Sequence, residues 1–193
     1  MNAAAWRAAG DPRGAHALCQ ALSTQQRYEH SRGVAQQAAR AARCVRLPGD
    51  RRRVLLAAAW LHDIGYALHD GPHAVAGARA LRRAGHERLA RIVAHHSNAS
   101  EKAMRSGRQP IEPEFPRPAG GDAHLLTLLD IADLLTGPWG ERVDPAGRLA
   151  GVVERHGPDS VSVQALVGHV NRLGADPVTR AIVEDLSAQA VPS

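Results

Sequence analysis

A chain of 193 residues is long enough for one domain with a sizeable core and too short for two comfortable ones. The 44% hydrophobic content is mostly Ala, Leu and Val, aromatic residues are only 3%, and no long alternation of β-branched residues argues for a sheet, so an all-α fold is expected. The net charge is +5, with arginine supplying every basic residue except Lys102, and no aromatic platform, finger or basic helix accompanies it. That balance favours phosphate-bearing small molecules as partners over a dedicated nucleic-acid reader.

Cys19 and Cys44 are the only cysteines, in a chain able to bury its own core, and imply no disulfide framework. The opening "MNAAAWRAAGDPRGAHAL" places arginines and Asp11 where a signal peptide needs an apolar stretch. No run approaches the roughly 20 apolar residues of a membrane span. The expected compartment is the cytoplasm.

In chain order, Ser23-Thr24 predicts a capped helix over about 25–44, stopped by "LPGD". Asp50 is expected to cap a second helix, with Val54, Leu55, Ala58 and Leu61 on its apolar side and its end at Gly65. A third helix over about 73–84 stops at Gly85, and a fourth begins at Glu87 and runs through "RLARIVAHHS". Residues 98–121 carry Pro110, Pro113, Pro116, Pro118 and Gly120-Gly121, and read as a long loop of the kind used as a lid or binding element. Asp122 is expected to cap a fifth helix, "AHLLTLLDIADLLT", and Trp139 just beyond it to pack against the C-terminal helices. Asp144-Pro145 and Asp176-Pro177 start two more helices, bracketing one over about 162–173. The expectation is a single helical domain spanning 1–193, with seven or eight helices, a core over about 25–140 and C-terminal helices at 144–190 packed on it.

Polar residues fall on the inward stripes of four of these helices. His30 shares a stripe with Val34, Ala38 and Ala41, and His62 shares one with Val54, Ala58 and Leu61. His95 or His96 continues the side marked by Leu89, Ile92 and Val93, while Asp130 and Asp133 fall with Leu126 and Leu129. A lone inward histidine is ordinarily a hydrogen-bonded core residue. Several of them, with two carboxylates, would each need separate satisfaction, whereas one divalent cation satisfies them together. Mixed imidazole and carboxylate donors suit Fe, Mn, Co, Ni or Zn.

The order His30, then His62-Asp63, then Asp133 resembles the His…His-Asp…Asp signature of the HD-domain metal-dependent phosphohydrolases. "RYEHSRGVA" is similar to that family's first helix, "LLAAAWLHDIGY" to its His-Asp helix end and "LLTLLDIADLLT" to its closing Ala-Asp helix, over about 25–140. The resemblance implies an all-helical fold with the metal between the helices. It also implies that His30, His62, Asp63 and Asp133 hold a first ion, with Asp130 the rival for the last place. His73 and His95 match two further histidines of branches with two metals, and His96 could replace or join His95. Asp63 would then bridge the ions, and His62 and Asp63 would stand at the reacting centre. Arg27, one turn before His30, is a candidate phosphate clamp, equally readable as a solvated arginine. Two departures stand out. Tyr66 occupies the place after "HDIG" where many members carry lysine, and Ser-Asn-Ala follows His95-His96 where the branch that opens cyclic dinucleotides has Glu and Gly-Tyr-Pro.

The implied activity is metal-dependent hydrolysis of a phosphomonoester or phosphodiester, above all in a nucleotide, by water activated on one or two divalent ions. A nucleotide- or metal-sensing module without turnover, kept open by Tyr66, and a di-iron oxygenase on the same fold are the alternatives. Assembly into a homo-oligomer is left open.

Overall fold

The computed structural model describes residues 3–188. Among the described residues eleven α-helices follow in order: α1 (Ala3–Arg7), α2 (Pro12–Leu22), α3 (Gln25–Cys44), α4 (Gly49–Leu61), α5 (His73–Arg83), α6 (Glu87–His95), α7 (Ala99–Arg105), α8 (Gly121–Leu134), α9 (Pro145–His156), α10 (Val161–Ala175) and α11 (Pro177–Ala188). Short 3-10 turns lie at Ala8–Gly10, Ile64–Ala67 and His96–Asn98. Among the described residues there is no β-strand, only an isolated antiparallel bridge from Thr136 to Arg142. The fold is all-α, as expected. Met1, Asn2 and the last two residues of the expected C-terminal helix, 189–190, lie outside the described residues.

The periodic helices form where the sequence places them. Thr24 caps α3 by accepting from the Arg27 amide, and Asp144 caps α9 by accepting from Gly147 at 2.7 Å, with Pro145 in the first turn. Asp176 accepts from Thr179 at 2.8 Å at the start of α11. Two expected caps are corrected. α4 starts from Pro48 and α8 from Gly120, neither with a side-chain cap, so Asp50 and Asp122 sit inside the first turns. There a carboxylate favours the helix through the macrodipole, and Asp122 also pairs with Arg88 at 2.6 Å.

Three helices were not foreseen. α1 and α2 form from the N-terminal segment, Asp11 capping α2 before Pro12. α7 forms inside residues 98–121, which are therefore a short helix followed by a proline-rich loop. That loop is seated by Phe115, fully buried beneath the Arg82 guanidinium, and by Arg91 donating to the Pro116 and Arg117 carbonyls at 2.9 Å. Trp139 does not pack as expected and is 58% exposed.

Helix α4 is the centre of the bundle. Its alanines at 57, 58 and 59, with Leu55 and Leu61, are fully buried, and it touches α2, α3, α6 and α8. Small residues on several faces let four neighbours approach one helix, and α8, apolar nearly all round, is buried with it. The His62-Asp63 pair at the end of α4 is thus delivered into the middle of the molecule. The C-terminal helices close the same end: α10 packs on α7 and α9, and α11 packs on α3. No helix among the described residues is long and apolar enough to cross a membrane. Both cysteines are free thiols.

One tie in this closure is pH-sensitive. Glu101 on α7 accepts from Asn98, Arg105 and Arg172, the last on α10 at 2.9 Å, and these bonds pull its carboxyl down to about 2 from an ordinary 4.5. A depressed acid stabilises the fold above its unfolded-state pKa, and that contribution is lost as pH falls through the folded value. The Tm difference between the wild-type chain and Glu101→Gln is therefore expected to be full above pH 4.5 and to vanish as pH falls towards 2.

Candidate metal centre

His30 sits inside α3, whose inward side is lined by Val34, Ala38 and Ala41, so the helix period aims its ring at the core. Close packing of α3 on the turn 137–140 fixes the ring: a Cβ on Gly33 would lie 2.6 Å from the Gly140 carbonyl oxygen. The same contact lets His30 Nδ1–H donate to Gly137 O at 2.9 Å. His62 follows the last residue of α4, and its Nδ1–H donates to Ala59 O at 2.9 Å. Asp63 comes next in a tight turn (φ −99°, ψ 5°). His73 is the first residue of α5.

Gly65 does not end the helix, contrary to expectation, because α4 stops at Leu61. Its role is contact. A Cβ there would lie 1.8 Å from the His73 carbonyl oxygen and 2.8 Å from the Gly77 nitrogen, so only glycine lets α5 lie this close.

The adjacent histidines at the end of α6 part company. Ser97 and Asn98 are both left-handed (φ 49° and 59°), which breaks the chain direction after His96. His95, expected among the ligands, is turned away: its Nε2–H donates to Phe115 O at 2.6 Å and its Nδ1 accepts from Ser100 at 3.0 Å. His96 takes the inward place, with Nδ1–H donating to Val93 O at 2.6 Å. His95→Ala is therefore expected to leave any bound metal in place and to cost about 1–3 kcal/mol of stability through the unpaired Phe115 carbonyl. His96→Ala is expected to lower metal content instead; elemental analysis and thermal melts of both variants check the contrast.

On α8, Asp133 enters the cluster and Asp130 does not. Asp133 Oδ1 lies 3.1 Å from His30 Nε2 and 3.1 Å from Arg148, while Ser97 Oγ–H donates to its other oxygen. Asp130 accepts from the Ser97 amide at 2.7 Å and so braces the left-handed turn beside His96. His169 lies 3.8 Å from Asp130 and has no hydrogen-bond partner for Nε2.

The result is two imidazole pairs on either side of one carboxylate. His30 and His62 face each other Nε2 to Nε2 at 3.3 Å, and so do His73 and His96. Asp63 Oδ2 lies 4.0 and 3.7 Å from the first pair, and Oδ1 lies 3.5 and 3.6 Å from the second. In His30 and His62 the Nδ1 position is committed to a carbonyl, which only accepts, so their Nε2 lone pairs point at one another, and His96 is fixed in the same tautomer opposite His73. Facing lone pairs are eased by a positive charge between them, a proton or a metal ion. Burial pushes His62 down to about 4 and His73 to about 3. Against the same burial, Asp133 raises His30 and Asp63 raises His96. The surrounding histidines, joined at Asp133 by Arg148, hold both buried carboxylates well below their usual range. His30, His62 and Asp133 lie close enough to hold a cation, and so, as an alternative use of His62, do His62, Asp63 and His96. The donor set, imidazole and carboxylate only, fits the divalent metals named from the sequence.

A model of the HD domain matches residues 27–137, more than half of the chain. The chain belongs to the HD domain family. No curated protein and no solved structure matches it. The matched stretch runs from Arg27 to Gly137 and so contains every inward residue described above except Arg148 and His169.

Around this HD-domain cluster lies a cavity of about 240 Å³ lined by Arg27, Tyr66, Lys102, Arg148, Arg155 and His169 among others. Arg27 donates to Asp63 Oδ2 at 2.8 Å and its guanidinium stacks 3.8 Å above the Tyr66 ring, which itself stacks on His73. It is neither free nor merely solvated. The sequence did not point to Lys102, Arg148 or Arg155. Lys102 is the lone lysine, carried on the unforeseen α7, and it has no salt-bridge partner among the described residues. Burial pulls Lys102 below its ordinary value despite the opposing pull of Asp133 and Asp63, and burial with Arg148 and Arg27 lowers Arg155.

Proposed function

We propose that this HD-domain chain hydrolyses a phosphomonoester or phosphodiester, above all in a nucleotide, with one or two divalent cations held by His30, His62, Asp63, His73, His96 and Asp133. The supporting observation is the pair of Nε2–Nε2 approaches at 3.3 Å on either side of Asp63. A bound cation would supply charge neutralisation at the phosphoryl oxygens and lower the pKa of water from about 15.7 towards neutrality.

The rest is the work of the chain. Asp63 offers one oxygen to each histidine pair and so is the group suited to join two sites. Arg27, Lys102 and Arg148 line the cavity as donors for phosphate oxygens, the first two replacing the lysine absent at Tyr66. Leu134, Pro138, Val152 and Leu166 form the apolar part of the wall and keep bulk water from the charged groups, which strengthens them. We take residues 1–193 as one functional unit, since Arg148 and Arg155 come from α9, beyond the matched HD-domain region. The cytoplasm, with its nucleotides and reduced thiols, is the compartment that suits it.

Unchelated protein is expected to carry a divalent metal on elemental analysis, to lose Tm on chelation and to release phosphate from at least one member of a nucleotide panel. Metal-loaded protein that binds nucleotides but releases nothing across the panel would instead be a sensor. That second reading draws on Tyr66, which stands after "HDIG" where many family members carry lysine. Substrate-dependent oxygen uptake by iron-loaded protein would select the oxygenase alternative.

A further inference from the structure

The cavity over the histidine cluster, at about 240 Å³, falls below the usual range for a whole small-molecule ligand, roughly 300–1,000 Å³. It has room for a phosphate and some neighbouring atoms, and is tight for a ring system as well. Beside it is a second chamber of about 650 Å³, within that range. The two share Tyr66, Lys102 and Ser162 as a common wall. Their characters are opposite. The first is rich in arginine, whereas the second is lined by Val75, Ala99, Ala103, Pro110, Ile111 and Phe115. Of its charged lining residues, Arg79 and Glu114 neutralise each other in a bidentate pair at 2.6 and 2.7 Å, Lys102 stands on the shared wall and Arg108 is exposed.

We propose that the larger chamber seats the leaving group, and that the substrate is a phosphate ester of an aromatic or similarly flat apolar alcohol, lying across both cavities with its phosphate at Lys102. This rests on the hydrolytic reading for its chemistry but not for its binding. In the reaction, the bond between phosphorus and the ester oxygen breaks, water supplies the new oxygen on phosphorus, and a proton from that water ends on the departing alcohol. The alcohol is then left against the apolar wall. The Tyr66 ring is 44% exposed and has its faces taken by Arg27 and His73, so its free edge is what a flat group meets in crossing from one cavity to the other. Lys102 sits at the junction, where an ammonium without a carboxylate partner meets the phosphate end. A nucleoside, an alcohol that carries a flat base, is one body of this kind, and a short polyol is not.

The test compares equilibrium binding of 1-naphthyl phosphate and glycerol 3-phosphate to the full chain, with inorganic phosphate as competitor for both. Burial of the ring system is expected to make the naphthyl ester bind roughly 10–100-fold more tightly. Val75→Phe, which fills the chamber, is expected to bring that ratio to near one. Ser106→Trp, at an exposed position on the chamber rim, gives the same readout if the first variant fails to fold. Equal affinities for the two esters would overturn the proposal. So would a naphthyl advantage that survives both substitutions in folded protein, because the ring would then bind elsewhere. A naphthyl advantage abolished by the variants, but with no phosphate released from either ester, would count against hydrolysis and leave the chamber as a binding site.

Discussion

Asp63→Ala is expected to remove metal from both halves of the cluster and to reduce phosphate release by more than the roughly 10–100-fold that loss of an outer partner costs. Asp63 is the one carboxylate that faces both imidazole pairs, at 3.5–4.0 Å from four Nε2 atoms. Removing it also strips the negative partner from Arg27 and leaves its guanidinium beside four imidazoles. Asp133→Ala, by contrast, touches only the His30 side directly and should spare part of the metal on the His73 side. Elemental analysis of the two variants in parallel, with phosphate release, gives the comparison. Equal metal content in wild type and Asp63→Ala would show that the carboxylate is not a shared ligand.

Gly65→Ala is expected to be the most damaging substitution of a single hydrogen by a methyl group in the chain. Overpacking of a core typically costs about 1–3 kcal/mol when side chains can yield. Here the colliding partners are backbone: the His73 carbonyl oxygen at 1.8 Å and the Gly77 nitrogen at 2.8 Å. Relief requires moving the start of α5, and His73 moves with it. The cost is expected to exceed about 3 kcal/mol, a fall in Tm of roughly 6–12 °C for a chain of this length. The variant that remains folded should have lost metal affinity on the His73 side. A thermal melt without metal separates the packing effect from the ligand effect, and an unchanged melt would remove close approach as the reason for this glycine.

The contrast between these residues explains what the sequence could show. His30, His62 and Asp133 lie on or at the end of long helices whose apolar period reveals which way each side chain faces. The family motif then links them with Asp63. His95 and His96 are adjacent, and the choice between them depends on Ser97 and Asn98 adopting a left-handed conformation that nothing in "HHSNAS" demands. Gly65 looked like a helix terminator because glycine often is one; its contact with His73 is a fact of tertiary packing. Lys102 was hidden because the prolines around it suggested a loop, whereas α7 forms just before them and carries the ammonium to the cavity. The start of α2 was readable: Asp11-Pro12 repeats the Asp-Pro opening of α9 and α11. The arginines of α9 carry no local signature, since a helix with no buried residue looks the same in sequence whether or not it borders a site.

The bonds from His62 to Ala59 O and from His96 to Val93 O have a consequence for how the two rings are set. Each spends a carbonyl that the end of an α-helix would otherwise leave orphaned, so ending the helix and choosing the imidazole tautomer are one event. The ring nitrogens left over are therefore aimed by the ends of the helices themselves. In zinc fingers the metal drives an unfolded peptide to fold. Here the backbone already dictates which nitrogen of each ring can serve as a ligand, so a cation of the kind proposed would be spared the cost of sorting tautomers.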